Sequence, residues 1–355
     1  MAAARSKRPP GAAPIRLGLA LAMLAAACAH GLPSGPPARA PTSPAEPAIA
    51  PTPTARPVGR VLSVGNAPEG IAVGTSGIAA VAVRNPDGVV LIDVDTGAVR
   101  RTVPTTGAAR HLSLATPGGP VLAPLEGSNQ LMALAFPDGV IASVVNNVGR
   151  QPHDAAMTRD GTVVVTNEAG GGVVFIRDGG VVKSLPAGPV QPGGVAAVGG
   201  YAAVADVQGN GVWVYDGSTR LQVAHAPVGL KLTHAVSLSG DLAAFADTEG
   251  GAVLVERVNP QVSQVTKIDA PGKPYGLAYD AAGSRLFVTL TASNVLRVID
   301  VSDVVRPRTL GDLPTIRQPN SVAVDPRSGA VLVTGSGASG EGGVQIITAD
   351  LVPTN

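Results

Sequence analysis

Seven times between residues 67 and 324 the chain restarts the same short phrase: APEGIAV, AARHLSL, QPHDAAM, QPGGVAA, LTHAVSL, KPYGLAY and QPNSVAV. The position held by Pro68 recurs at Ala109, Pro152, Pro192, Thr233, Pro274 and Pro319, at intervals of 41, 43, 40, 41, 41 and 45 residues. A period of about 42 residues is that of a four-stranded propeller blade.

Each phrase is followed by a turn, often Asp-Gly-like as in RDGT or LSGD, and then by an apolar run such as IAAVAV, TVVVT or LAAFA. A Gly/Asn-rich turn leads to a third run (GVVFI, GVWVYD, NVLRVID), and a more polar fourth run (VRRTVPTTG, VVKSLPAGP) leads to the next phrase. Four short strands per unit with no helical period predict radially arranged antiparallel sheets. Composition agrees: 45 Gly and 32 Pro punctuate a chain with only 3% aromatics, and Trp213 is its single tryptophan. The second unit, VLAPLEGSNQLMALAF, fits least well.

The ends complement each other. The seventh unit supplies strand-like runs at 322–324, 331–334 and 344–347 but no fourth, whereas GRVLSVGN at 59–66 has the character of a fourth strand with no unit of its own. Pairing them closes a ring and removes both open edges. The expected fold is therefore all-β: a seven-bladed β-propeller over residues 58–355, closed by an N-terminal strand at about 59–66.

The pattern is clearest in QPHDAAMTRDGTVVVTNEAGGGVVFI and KPYGLAYDAAGSRLFVTLTASNVLRVID. It resembles the YVTN/YncE-like family of extracytoplasmic bacterial propellers, over roughly residues 58–355. The resemblance implies fold more than chemistry. Related propellers include lactonases and streptogramin-type lyases. Val, Ala or Phe replaces the tyrosine of the YVTN strand, and neither the tryptophan-rich lyase motif nor a WD signature is present.

Ahead of the repeats, Arg5, Lys7, Arg8 and Arg16 precede an apolar run from Leu17 to Ala27 that ends at Cys28, the one cysteine. This reads as an export signal over 1–27, too short for a permanent span. LAAACAH resembles a lipobox, which implies cleavage before Cys28 and acylation of its thiol; small-x-small cleavage and a secreted soluble form is the alternative. Residues 28–57, rich in Pro and Ala, read as a disordered tether. The expected location is the extracytoplasmic side of the cell membrane, held by the lipid.

Loss of residues 1–27 removes four basic groups and changes the net charge from +1 to −3. A nucleic-acid partner calls for a basic surface, so none is expected.

Aligned on the repeat, Glu69, Arg110, His153, Gly193, His234, Tyr275 and Asn320 form one ring, with His111 and Asp154 one residue further on. Asn167, Asp206 and Asp247 end the second runs of their units, with Glu168 adjacent to the first. Loop corners around a propeller axis form a concave surface, so the eleven candidate ligand-binding residues are Glu69, Arg110, His111, His153, Asn167, Glu168, Asp206, His234, Asp247, Tyr275 and Asn320. The competing reading of each is a cap on a turn. Catalysis would draw on His153 as base with Asp154 or Glu168, and on Arg110 or His234 for an oxyanion. No cofactor is predicted; a divalent metal at the channel is conceivable, using Glu69, Asn167, Asp206 and Asp247. The expected function is a non-catalytic binding module for a small polar ligand, a cell-envelope component or a protein partner, with a lactonase-like hydrolase or lyase as the alternative.

Overall fold

The computed structural model describes residues 46–337 and 341–354. The signal peptide and Cys28 lie outside the described residues, as does the first part of the expected tether. Seven four-stranded antiparallel sheets follow one another along the chain. In six of them the four strands are consecutive, as in blade 3: Pro152–Met157, Val163–Asn167, Val173–Arg177 and Gly180–Leu185. The seventh is composite. Arg60–Asn66 pairs with Glu341–Ile347, placing Leu62 opposite Val344, so the first strand completes the last blade as the sequence predicts.

The apolar runs have a common cause. Each sheet packs both faces against neighbouring blades, so its middle strands carry no polar alternation: Leu242–Asp247 and Val121–Leu125 are buried throughout. The buried residues form seven clusters, one at each blade interface. Phe175 and Val164 of blade 3 meet Val204 and Tyr215 of blade 4, and the closing interface joins Val81 and Val90 of blade 1 to Leu332 and Ile346 of blade 7. Ala and Val dominate because two pleated surfaces must approach closely. The fourth strands lie outside, largely exposed, as in Val99–Pro104.

Blade 2 is the irregular one. Its inner strand shrinks to Ser113–Leu114, where Pro117, Gly118, Gly119 and Pro120 interrupt the turn. A single bridge between Ala109 and Leu125 keeps its start in register.

Two devices position the axial face. In blades 3 to 6 the inner strand slips register directly after its first residue, as between Pro152 and Ala155 or Leu232 and Ala235. His153, Asp154, His234 and Tyr275 sit in these bulges, which turn side chains off the sheet plane toward the axis. At the next position neighbouring inner strands nearly touch. A Cβ at Gly194 would lie 2.7 Å from the Ala235 nitrogen, and one at Gly276 2.6 Å from the Asn320 oxygen, so only glycine fits. Threonines near the ends of second strands tie blade to blade: Thr166 donates to the Gly193 carbonyl, Thr248 to that of Pro274 and Thr334 to that of Glu69.

Candidate functional site

The bulged ring residues do not line an open funnel. They pack into a plug across the axis. Of the eleven predicted residues only Glu69 is more than slightly accessible; His153 and Glu168 are each 1% exposed. The expectation of a solvated channel mouth at this face is corrected by that burial: the side chains are long enough to meet across a ring drawn tight by its glycines.

Ion pairs run through the plug. Arg84 meets Glu69 at 2.7 Å and Glu126 at 3.5 Å, and Arg110 meets Glu69 at 3.2 Å. His153 Nδ1 lies 3.2 Å from Glu126 and 3.4 Å from Glu168. Gln151 and Gln191 donate to the two oxygens of Glu168 at 2.9 and 3.0 Å. Beside this network the rings of His111, His234 and Tyr275 pack edge to face, with centroids 4.2 Å apart for His111 and His234 and 4.4 Å for His234 and Tyr275. His153 and His234, two blades apart, thus communicate through His111.

The environment sorts the three histidines. Burial disfavours charge on His153, yet Glu168 and Glu126 outweigh it and hold the imidazolium up to about 10. His234 is pushed down to about 3 by burial, then by the charges of His153 and Arg110. His111 falls well below its ordinary value for the same first reason, reinforced by its histidine neighbours. One charged imidazole therefore stands beside two neutral ones. A cationic His153 has no free lone pair, so in this protonation state it serves as an ion-pair partner of Glu126 and Glu168 rather than as a base.

Asp206 and Asp247 behave as turn anchors. Asp206 accepts the backbone N–H groups of Val190, Gln191 and Gly209 at 2.9–3.0 Å; Asp247 accepts those of Leu230, Lys231 and Gly250 at 2.9–3.1 Å. These contacts are with turn backbone, and Glu249 pairs with Lys273 at 2.6 Å. The set Glu69, Asn167, Asp206 and Asp247 is thus not gathered as a calcium site. Among the described residues, the trio whose ligand atoms do converge, all within 4.8 Å, is Glu126, His153 and Glu168. With His153 charged, these same contacts are satisfied as ion pairs. Asp154 joins blades: its oxygens accept the N–H of Ala155 at 2.8 Å and of Val195 in the next blade at 2.9 Å, while burial raises its carboxyl to about 6.

Beneath the plug lies an axial cavity of about 250 Å³. Its upper wall is His111, Asp154 and His234, and its sides are inner-strand residues such as Ser113, Ala156, Ala196 and Ser237. Exposure rises toward the far ends of the inner strands, where Leu114, Met157, Ala197 and Ser237 are partly accessible, so solvent reaches the cavity from the face opposite the histidines. Neither ring nitrogen of His234, a residue only 7% exposed, has a hydrogen-bond partner among the described residues.

Composition alone did not reveal the outer cover of the plug. Residues 46–57, read as part of a disordered tether, are not free. Glu46 forks onto Arg110 at 2.6 and 2.9 Å. Pro47 sits beside Tyr275 and Asn320, and Ala50 is 2% exposed. Carbonyls of a Pro/Ala segment, unsatisfied by secondary structure, find side-chain donors on the ring instead. Glu46 and Arg84 are not legible from the repeat, because neither occupies its anchor corner or the end of a second run.

No family model matches this sequence, and no curated protein does. Solved structures match by fold. The chain is similar to RRP9 WD40 repeats (TM-score 0.70, 12% identity, covering 82% of this chain and 98% of that one). It is similar to Kuenenia stuttgartiensis hydrazine synthase (0.68, 16%, 81% and 97%). It is also similar to virginiamycin B lyase from Staphylococcus aureus (0.64, 14%, 81% and 99%). At such identities the shared property is the propeller itself.

Proposed function

We propose that this propeller is a non-catalytic binding module that takes a small polar ligand into its axial cavity, from the face opposite the histidine plug. The observation that carries the reading is His234. A neutral imidazole has one donor and one acceptor, and burying both unpaired costs about 1–3 kcal/mol per group. A ligand that offers one acceptor and one donor, such as a hydroxyl beside a carbonyl, recovers that cost. The cavity volume suits a molecule of modest size. Export and lipid anchoring through Cys28, inferred from the N-terminal pattern and the YVTN-like repeats, would place the module at the outer side of a bacterial membrane.

The test is thermal-shift and calorimetric screening of the full chain against small polyols, hydroxy acids and sugars. A hit should disappear in His234→Phe, which keeps the ring packing on His111 and Tyr275 but removes both nitrogens. Equal binding by wild type and His234→Phe would refute the assignment. Mass spectrometry of the mature N-terminus tests the anchor, which requires a diacylglyceryl mass on Cys28.

A further inference from the structure

On the opposite side of the plug, the ring holds an extended peptide, the chain's own Glu46–Pro51. Arg110, almost fully buried and braced by Glu69 at 3.2 Å, presents its guanidinium fork to the Glu46 carboxylate. Bidentate recognition of this kind needs a planar acid at a set position. The Gln318 carboxamide then reads backbone: its Nε2 donates to the Ala48 carbonyl and its Oε1 accepts the Ala50 N–H, both at 2.7 Å. Arg317 donates to the Ala50 carbonyl at 2.8 Å and Asn294 to that of Pro51 at 2.9 Å. Ile49, the one large apolar side chain of the segment, is 86% exposed.

We propose that this face is a receptor for extended acid–Pro peptides presented by a partner protein, and that Glu46–Pro51 is its resident competitor. Recognition through one charged fork and a track of backbone contacts is lenient about the intervening side chains, as the outward Ile49 illustrates. The resident segment buries only small apolar groups, Ala50 fully and Pro47 and Ala48 in part, so its hold depends largely on polar contacts that a similar peptide reproduces. What favours it is connection: only a short stretch separates Pro51 from the closing strand at Arg60, which gives it a millimolar-scale effective concentration. A partner peptide binds once the segment is displaced.

The experiment uses the full chain and a fluorescein-labelled peptide of residues 43–52, SPAEPAIAPT. In Glu46→Arg/Ala50→Asp the resident segment is released, and anisotropy should report peptide binding at least about tenfold tighter than to wild type. A peptide carrying Glu46→Gln should lose about tenfold or more, because the charged fork is forfeited while the protein is untouched. Adding Gln318→Ala to the released variant should weaken the unmodified peptide similarly. Absence of binding to a released variant that melts like wild type would overturn the proposal, as would equal binding of the Gln peptide or of a scrambled one.

Discussion

The Nε2 atoms of His111 and His153 lie 3.0 Å apart. At that distance one nitrogen donates and the other accepts, and the carboxylates decide which. His153 turns Nδ1 toward Glu126 and Glu168 and is held charged, so its Nε2–H donates to the bare Nε2 of His111. The proton of neutral His111 is thereby confined to Nδ1.

This arrangement predicts a pH profile. The folded-state value of His153 lies above the unfolded 6.5, so its stabilisation is complete below about 6.5 and is lost as pH rises toward about 10. Melting temperature followed from pH 6 to 10 should decline with a component that is absent in His153→Ala. That variant, which takes the cation from buried Glu168 and leaves Glu126 only Arg84 and Arg110, should lose about 3–5 kcal/mol at pH 7 in urea unfolding.

Asp206 and Asp247 are predicted to matter for stability alone. Asp206→Ala or Asp247→Ala strips three N–H groups of their acceptor and should cost about 2–3 kcal/mol by denaturant unfolding. Any ligand of the axial cavity should bind the folded variants as it binds wild type, by calorimetry.

Glu256 is an acid in an apolar interface. It takes the place occupied by Tyr215 and Ile299 in neighbouring blades, and neither of its oxygens has a partner among the described residues. Burial pushes its carboxyl up to about 7. An acid raised in the folded state favours folding most when protonated, so stability should fall as pH rises from about 4.5 through 7. Glu256→Met should flatten this part of the profile and add about 1–2 kcal/mol at pH 8, measured by chemical denaturation.

Ring closure is predicted to depend on Gln345. Its Oε1 accepts the Ile316 N–H at 2.9 Å, and its Nε2 donates to the carbonyls of Val58 at 2.7 Å and Pro314 at 3.1 Å. Gln345→Leu should leave the Ile316 N–H and the Val58 carbonyl unpaired, the Pro314 carbonyl keeping the Val58 N–H at 3.1 Å, and cost about 2–4 kcal/mol. Hydrogen exchange should then report earlier opening of Arg60–Asn66 than of the other outer strands.

The blade count and the closing strand were legible because each repeat encodes its own turns and apolar runs, which are local properties. Blade 2 read poorly for a local reason as well: Pro120 and Pro124 fall within its strand grammar. The ring of corner residues was also legible, since equivalent positions of a repeat come to equivalent places around an axis. Asp206 and Asp247 share their repeat position with Asn167, however, and nothing in that position distinguishes a turn anchor from a ligand contact.

The amino-acid order alone determined the seven-bladed ring and the residues that encircle its axis, because nearest-neighbour strand pairing propagates a periodic pattern. Only the tertiary structure decided whether that circle is open or sealed, which histidine is charged, and where the Pro/Ala segment rests. Those outcomes depend on distances of a few ångströms between side chains from different blades, and at that range burial and ion pairing outweigh any preference of the isolated residues.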